Sequence, residues 1–150
     1  MSTEQSNPTN LIGASIRRVE DPPLLTGKGC YVDDVKLPDI LHVAIHRSTH
    51  PHARILSIDT AEAAAMPGVE CVLTGDDIGD LVLRTPMVAP GMNRPDHPIL
   101  ARGAVHAVGA PIAAVVAESA AAAQDAAASI QVTYEALPVV TDAEAALEDG

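Results

Sequence analysis

Leu41, Val43 and Ile45 alternate with His42, Ala44 and His46, the period of two that a half-buried strand requires. The alternation returns over 54–59, where Ile55 and Ser57 face opposite to Leu56 and Ile58. Thr60, or Asp59 with Glu62, can accept the orphan N–H groups of a short helix over 61–66, and Pro67-Gly68 stops that helix. Val69 to Thr74, rich in β-branched residues, predicts a third strand. A second block is compressed into 105–138: strand, Gly-x-Pro kink at Gly109 to Pro111, strand, alanine-rich helix and strand. Pro111 lacks an N–H and drives Ala110 toward extended geometry, so the kink belongs at a strand edge or bulge. Ser119 is a good N-cap for a helix from Ala120 to about Ser129, and Ile130 to Glu135 predicts the returning strand, ended by Leu137-Pro138.

Three stretches lack such a pattern. Residues 1–10 are polar and predict a disordered N-terminus, with order beginning near Leu11. Arg18 to Asp34 mixes Pro, Gly and acids, which suits an irregular segment laid over a surface, with Gly27 and Gly29 permitting tight turns. Gly75 to Gly103 carries Pro86, Pro90, Pro95 and Pro98 and predicts a long loop that contacts a partner surface. After Thr141 a short acidic helix trails into a linker over 141–150. The order is β-β-α-β, long loop, β-β-α-β. This predicts an α+β domain over 11–140 with two short helices and a mixed sheet, parallel where β-α-β crossovers join neighbours and antiparallel where connections are short.

Composition narrows the core and the partners. A chain of 150 residues fits one domain. It is 47% hydrophobic yet has no Trp or Phe and only Tyr31 and Tyr134, so the core must be built of Ala, Val, Ile and Leu. A net charge of −11 with no basic patch excludes nucleic acid as a partner. No run reaches the eighteen or so apolar residues of a membrane span. Arg17-Arg18 is followed by Glu20-Asp21-Pro22-Pro23 and not by an apolar segment, which removes it as a twin-arginine signal. Cys30 and Cys71 form no C-x-x-C, so neither a disulfide framework nor a zinc knuckle is indicated, and a cytoplasmic location is expected.

Candidate chemistry is sparse. His42, His46, His50 and His52 invite a metal reading, but on a strand His42 and His46 share a face about 13 Å apart, too far for one ion. His50 and His52 flank Pro51 in a turn and could ligate only with help from elsewhere. Structural or surface roles are favoured for all four. Gly27-Lys28-Gly29 lacks the third glycine of a dinucleotide fingerprint, since position 32 is Val32, and lacks the Gly-Lys-Ser/Thr of a phosphate loop. Adjacent residues on extended chain point apart, so Asp33-Asp34 and Asp76-Asp77 read as turn or cap residues and not as catalytic dyads. Ser48, Ser57 and Ser119 have no nucleophile-elbow context, and neither cysteine has a partner base in sequence. No catalytic, cofactor-binding or metal-binding residue is assigned.

The residues do carry a resemblance. Ile12-Gly13, Arg18, Glu20-Asp21, Leu24-Leu25-Thr26-Gly27-x-Gly29-x-Tyr31-x-Asp33-Asp34, Leu41-His42, Arg47-Ser48, His50-x-His52-Ala53-Arg54-Ile55, Asp59, Pro67-Gly68-Val69 and Leu73-Thr74-Gly75-Asp76-Asp77 follow one another in order. Farther on come His97-Pro98-Ile99-Leu100-Ala101, Val108-Gly109-x-Pro111-Ile112-Ala113 and Val132-x-Tyr134-Glu135-x-Leu137-Pro138. Together they resemble the N-terminal α/β-hammerhead domain of the molybdopterin-binding large subunit in the xanthine dehydrogenase, aldehyde oxidase and aerobic carbon monoxide dehydrogenase family. The likeness spans about residues 11 to 150. Ala107 and Ala110 depart from it, since the family commonly has an aromatic residue and an acid or amide there.

The resemblance implies a complete enzyme that hydroxylates an aldehyde or N-heterocycle, or oxidises CO, with water as the oxygen source. It also implies a molybdopterin-type Mo cofactor in domains following the hammerhead, with [2Fe-2S] clusters and FAD in companion subunits or domains. The chain alone is then expected to bind no cofactor and to be inactive, supplying scaffold and interface to the molybdenum-cofactor domains and to the iron-sulfur and FAD subunits. Two competing readings are a free-standing module binding a small molecule or protein, and a metal-binding protein using the cluster of His42, His46, His50 and His52.

Overall fold

The computed structural model describes residues 12–13, 15–84 and 96–147. The chain forms two compact units, one reaching to Pro38 and one beginning at Asp39. The expected disorder of residues 1–10, and Pro86, Pro90 and Pro95 of the expected loop, lie outside the described residues.

In the first unit the irregular segment contains a one-turn helix, α1 (Asp21–Leu25), that the sequence reading did not foresee. Pro22 and Pro23 occupy its first turn, where the backbone N–H has no helical partner to lose, so prolines that suggest a loop start a helix instead. Its end is closed by Thr26, whose hydroxyl donates to the Pro22 carbonyl at 2.7 Å, and by the Lys28 N–H, which donates to the Pro23 carbonyl at 2.7 Å. Gly27 follows with φ +69°, the left-handed geometry that glycine takes at least cost. A 3-10 turn at Val32–Asp34 completes the unit.

The second unit holds the strands. They are β1 (His42–Arg47), β2 (Ala53–Asp59), β3 (Val69–Thr74), β4 (Val82–Arg84), β5 (Asp96–Pro98), β6 (Ala104–Val105), β7 (Pro111–Ala117) and β8 (Gln131–Ala136). Helices α2 (Ala61–Ala64), α3 (Gly75–Ile78) and α4 (Ala120–Ser129) lie among them, and a 3-10 turn at Ala145–Leu147 takes the place of the expected acidic helix among the described residues. The strands pair as β1-β7-β3, as β6-β2-β8, and as the pair β4-β5.

The α+β hammerhead class is as expected, but the mixed sheet is not. Every strand pairing among the described residues is antiparallel. The reason lies in where the helices lead: α2 joins β2 of the second sheet to β3 of the first, and α4 joins β7 of the first to β8 of the second. Each β-α-β crossover therefore changes sheet and creates no parallel neighbour. The helix count is also corrected, since one-turn helices α1 and α3 accompany α2 and α4. The stretch predicted as a long loop contains α3 and the β4-β5 ladder, with Leu83 opposite His97.

Antiparallel ladders fix which residues enter the core. In β1, Ala44 faces inward with Val115 of β7, and β7 continues with Ala113. Against them pack Ala63 of α2, Ala126 and Ala127 of α4, and Ile130, with Val72 of β3 at the margin. A second cluster gathers Ala53, Ala101, Val105 and Ile112, and Ile58 and Val132 touch both, so the two sheets share one apolar interior. Among the described residues, nine of the fourteen buried hydrophobic residues are alanine, which lets α4 sit close on the strands. Ser119 caps α4 by accepting the Ala122 N–H at 3.2 Å, and Asp59 accepts the Ala61 N–H of α2 at 3.0 Å.

Candidate functional site

The Gly-x-Pro kink is a turn held by several backbone and side-chain hydrogen bonds. Pro111 opens β7 opposite Arg47, and the register slips between His46 and Arg47, which is the bulge that a proline without an N–H predicts. Gly109, at φ +84°, donates its N–H to the Ser48 carbonyl at 2.8 Å, and the Ser48 N–H donates to the Ala110 carbonyl at 2.9 Å. Arg47 Nη1 donates to the Gly109 carbonyl at 2.9 Å. Ser48 is 3% exposed, and its hydroxyl both donates to the His50 carbonyl and accepts the His50 N–H. A buried hydroxyl so satisfied fixes the turn and is not poised for attack on a substrate. Ala110 thus acts through its backbone carbonyl at the position where the resemblance leads one to expect an acid or amide.

Beside β2 lies an open cleft of about 380 Å³, lined by residues 55–58, 74–76 and 101–103. A bulge between Ile55 and Ser57 bends β2 here, and the Ile55 N–H reaches the Gly103 carbonyl at 2.8 Å. Arg102 is the cation of the cleft, with Nε donating to Asp76 at 3.2 Å and Nη1 donating to Asp80 at 3.0 Å. Asp77 turns the other way, its Oδ2 accepting the Thr74 N–H at 2.7 Å and the Thr74 hydroxyl at 2.8 Å. The Thr74 backbone N–H, then the Thr74 hydroxyl, hold the Asp77 carboxyl below its ordinary range. The Asp76-Asp77 pair is thus divided between an ion pair and a helix cap. Asp34 likewise caps a turn by accepting the Tyr31 N–H at 3.0 Å.

The first unit has an open depression of about 350 Å³, lined by Arg18, Glu20, Pro23, Leu24, Lys28, Gly29, Cys30 and Tyr31. Arg18 Nε lies 3.9 Å from the Glu20 carboxylate and 3.8 Å from that of Asp21. A Cβ on Gly29 would stand 2.8 Å from Leu24 Cδ2, so Gly29 serves close packing while Gly27 supplies the turn. Cys30 and Cys71 are free and exposed.

The histidines disperse. His46 Nδ1 donates to the Ala127 carbonyl at 2.9 Å, tying β1 to α4. His50 stacks on Tyr134 with ring centroids 4.3 Å apart. His52 Nδ1 lies 2.6 Å from the Pro138 carbonyl oxygen, and its ring neighbours His106, which the sequence reading passed over. Among the described residues, no group of three or more His, Cys, Asp and Glu side chains could hold a metal ion. No helix among them is long and apolar enough to cross a membrane.

This architecture of small antiparallel sheets crossed by short helices defines an α+β hammerhead domain. The chain belongs to the aldehyde oxidase and xanthine dehydrogenase family through its a/b hammerhead domain, which residues 26–138 match. A solved structure of quinoline 2-oxidoreductase from Pseudomonas putida 86 superposes with a TM-score of 0.84 at 50% identity, covering 91% of this chain and 18% of that one. The nicotine 6-hydroxylase large subunit of Paenarthrobacter nicotinovorans is 40% identical over 143 residues, covering 94% of this chain and 18% of the relative. The carbon monoxide dehydrogenase large chain of Afipia carboxidovorans is 42% identical over 147 residues, again covering 18% of the relative. The chain therefore spans under a fifth of the length of these relatives.

One of the similar solved structures, at 41% identity and a TM-score of 0.78, is a Cu,Mo-CO dehydrogenase. The cleft beside β2 does not fit a molybdenum-pterin cofactor. Such a group carries a phosphate, and Arg102, the cation lining the cleft, is already engaged by Asp76 of the lining and by Asp80 outside it. That balance repels an anion.

Proposed function

We propose that this chain is the N-terminal scaffold and interface domain of a molybdenum hydroxylase large subunit and is not catalytic alone. The observation that carries the reading is membership of the family through the hammerhead domain, in a chain matching 18% of its relatives' length. The molybdopterin cofactor and the residues that act on an aldehyde, an N-heterocycle or CO then belong to further polypeptide. Iron-sulfur and FAD subunits or domains take the electrons, and the whole works in the cytoplasm.

The surface of the first unit supports this role. No described residue from 12 to 38 is buried, and Leu25 and Val32 are 86% and 87% exposed. Apolar side chains at that density on a short segment gain most by packing on a partner. The test is co-purification of the chain with a large subunit deleted for its own hammerhead, followed by molybdenum analysis of the complex. A stable complex containing molybdenum is the expected result, and separate elution with no metal in the mixture contradicts the role.

A further inference from the structure

His52 and His106 stand one step beyond the paired residues Ala53 and Val105 of β2 and β6. Directly opposed positions on antiparallel strands send their side chains to the same side, and the two imidazoles meet with ring centroids 5.3 Å apart and planes tilted by 36°. The Pro138 carbonyl can only accept, so its 2.6 Å contact fixes the proton on His52 Nδ1. The Nε2 atom of the neutral ring then bears the lone pair. This is how metal-binding histidines are usually prepared, one ring N–H tied to a carbonyl and the other nitrogen directed to the ion.

The spacing fits a shared ion. A metal about 2.1 Å from each coordinating nitrogen puts each ring centroid about 3.2 Å from it, and a tetrahedral angle then separates the centroids by about 5.2 Å. His50, the neighbour in sequence, takes no part, because its ring is stacked on Tyr134 and its Nδ1 faces the Thr49 hydroxyl at 3.2 Å.

We propose that His52 and His106 form a two-imidazole site for a first-row transition metal ion, with water in the remaining positions. Two nitrogen ligands and open positions impose little geometry, so affinity follows the intrinsic order of the ions, with Cu²⁺ tightest and Ni²⁺ and Zn²⁺ weaker. The ion bridges β2 to β6 and, through the Pro138 carbonyl, steadies the chain leaving β8.

The test is calorimetric titration of the tag-free, metal-free 150-residue chain with CuCl₂, NiCl₂ and ZnCl₂, beside His52→Ala, His106→Ala and His50→Ala. One equivalent should bind in that order of affinity, His52→Ala and His106→Ala should each weaken it by about tenfold or more, and His50→Ala should leave it unchanged. Metal should raise the melting temperature of the parent and of His50→Ala only. His106 is exposed and makes no core contact, so His106→Ala should fold as the parent does, as checked by circular dichroism. Absence of binding by the folded parent, or binding that survives His106→Ala, overturns the site.

Discussion

A methyl group added at Gly75 should destabilise the second unit, although Gly75 opens α3, where alanine is ordinarily the better helix residue. The Cβ of Gly75→Ala would press on Arg102 Cγ and stand 2.7 Å from the Ala101 carbonyl oxygen and 3.1 Å from that of Leu100. The arginine can swing aside, but the carbonyls cannot move freely, because the Ala101 N–H is bonded to the Pro111 carbonyl at 2.7 Å. Overpacking of this kind costs about 1–3 kcal/mol. Loss of the exposed Arg102 pairs adds no more than about 1 kcal/mol, and reduced freedom of the unfolded chain returns about 0.4–1 kcal/mol. The net expectation is a loss of about 1–3 kcal/mol, read as a lower urea midpoint and a melting temperature reduced by about 2–4 °C per kcal/mol. Combining it with Arg102→Ala should recover only the side-chain part, since the Ala101 oxygen remains. A Gly75→Ala chain as stable as the parent would refute the close approach on which the cleft is built.

Ile112, fully buried at the join of the two sheets, should lose about 2–5 kcal/mol on change to Ala, whereas Val43→Ala on the exposed strand face should stay within about 0.5 kcal/mol; urea denaturation distinguishes them. Ser119→Ala removes the acceptor for the Ala122 N–H and should cost about 1 kcal/mol, visible in the same assay and diminished in Ser119→Asp. The Asp77 carboxyl is held below its ordinary value of 3.8 by the Thr74 N–H and hydroxyl, so its contribution is complete above that pH and is lost as the pH falls through the lowered value. Acid titration followed by circular dichroism should therefore show a shallower acid limb for Asp77→Asn, and an unchanged limb would contradict the cap.

Where the sequence carried a local physical signal, the fold could be read from it. Helix α4 runs from Ala120 to Ser129 as predicted because Ser119 and the alanine run specify the start and the packing face together. The alternation in β1 and β2 placed those strands within a residue, and Pro111 announced the bulge opposite Arg47. Strand partnership was not legible. Nothing local in 61–66 or 120–129 states that the following strand joins a different sheet, so the expected parallel neighbours proved to be antiparallel ladders. Strands β4 and β5 are three residues each, too short for a period to show. The nearness of His52 to His106 follows only from the β2-β6 register, so the sequence pattern groups His52 with His50 and leaves out His106.

Turnover tests most directly the proposal that this chain is a scaffold whose chemistry lies in further polypeptide. The purified chain and a hammerhead-deleted large subunit, assembled with its iron-sulfur and FAD partners, should each be inactive in dye-linked oxidation of aldehyde, N-heterocycle or CO, and mixing them should restore activity to the one substrate class the enzyme uses. Oxidation of any of these by the 150-residue chain alone, or a mixture as inert as its parts, would contradict the account.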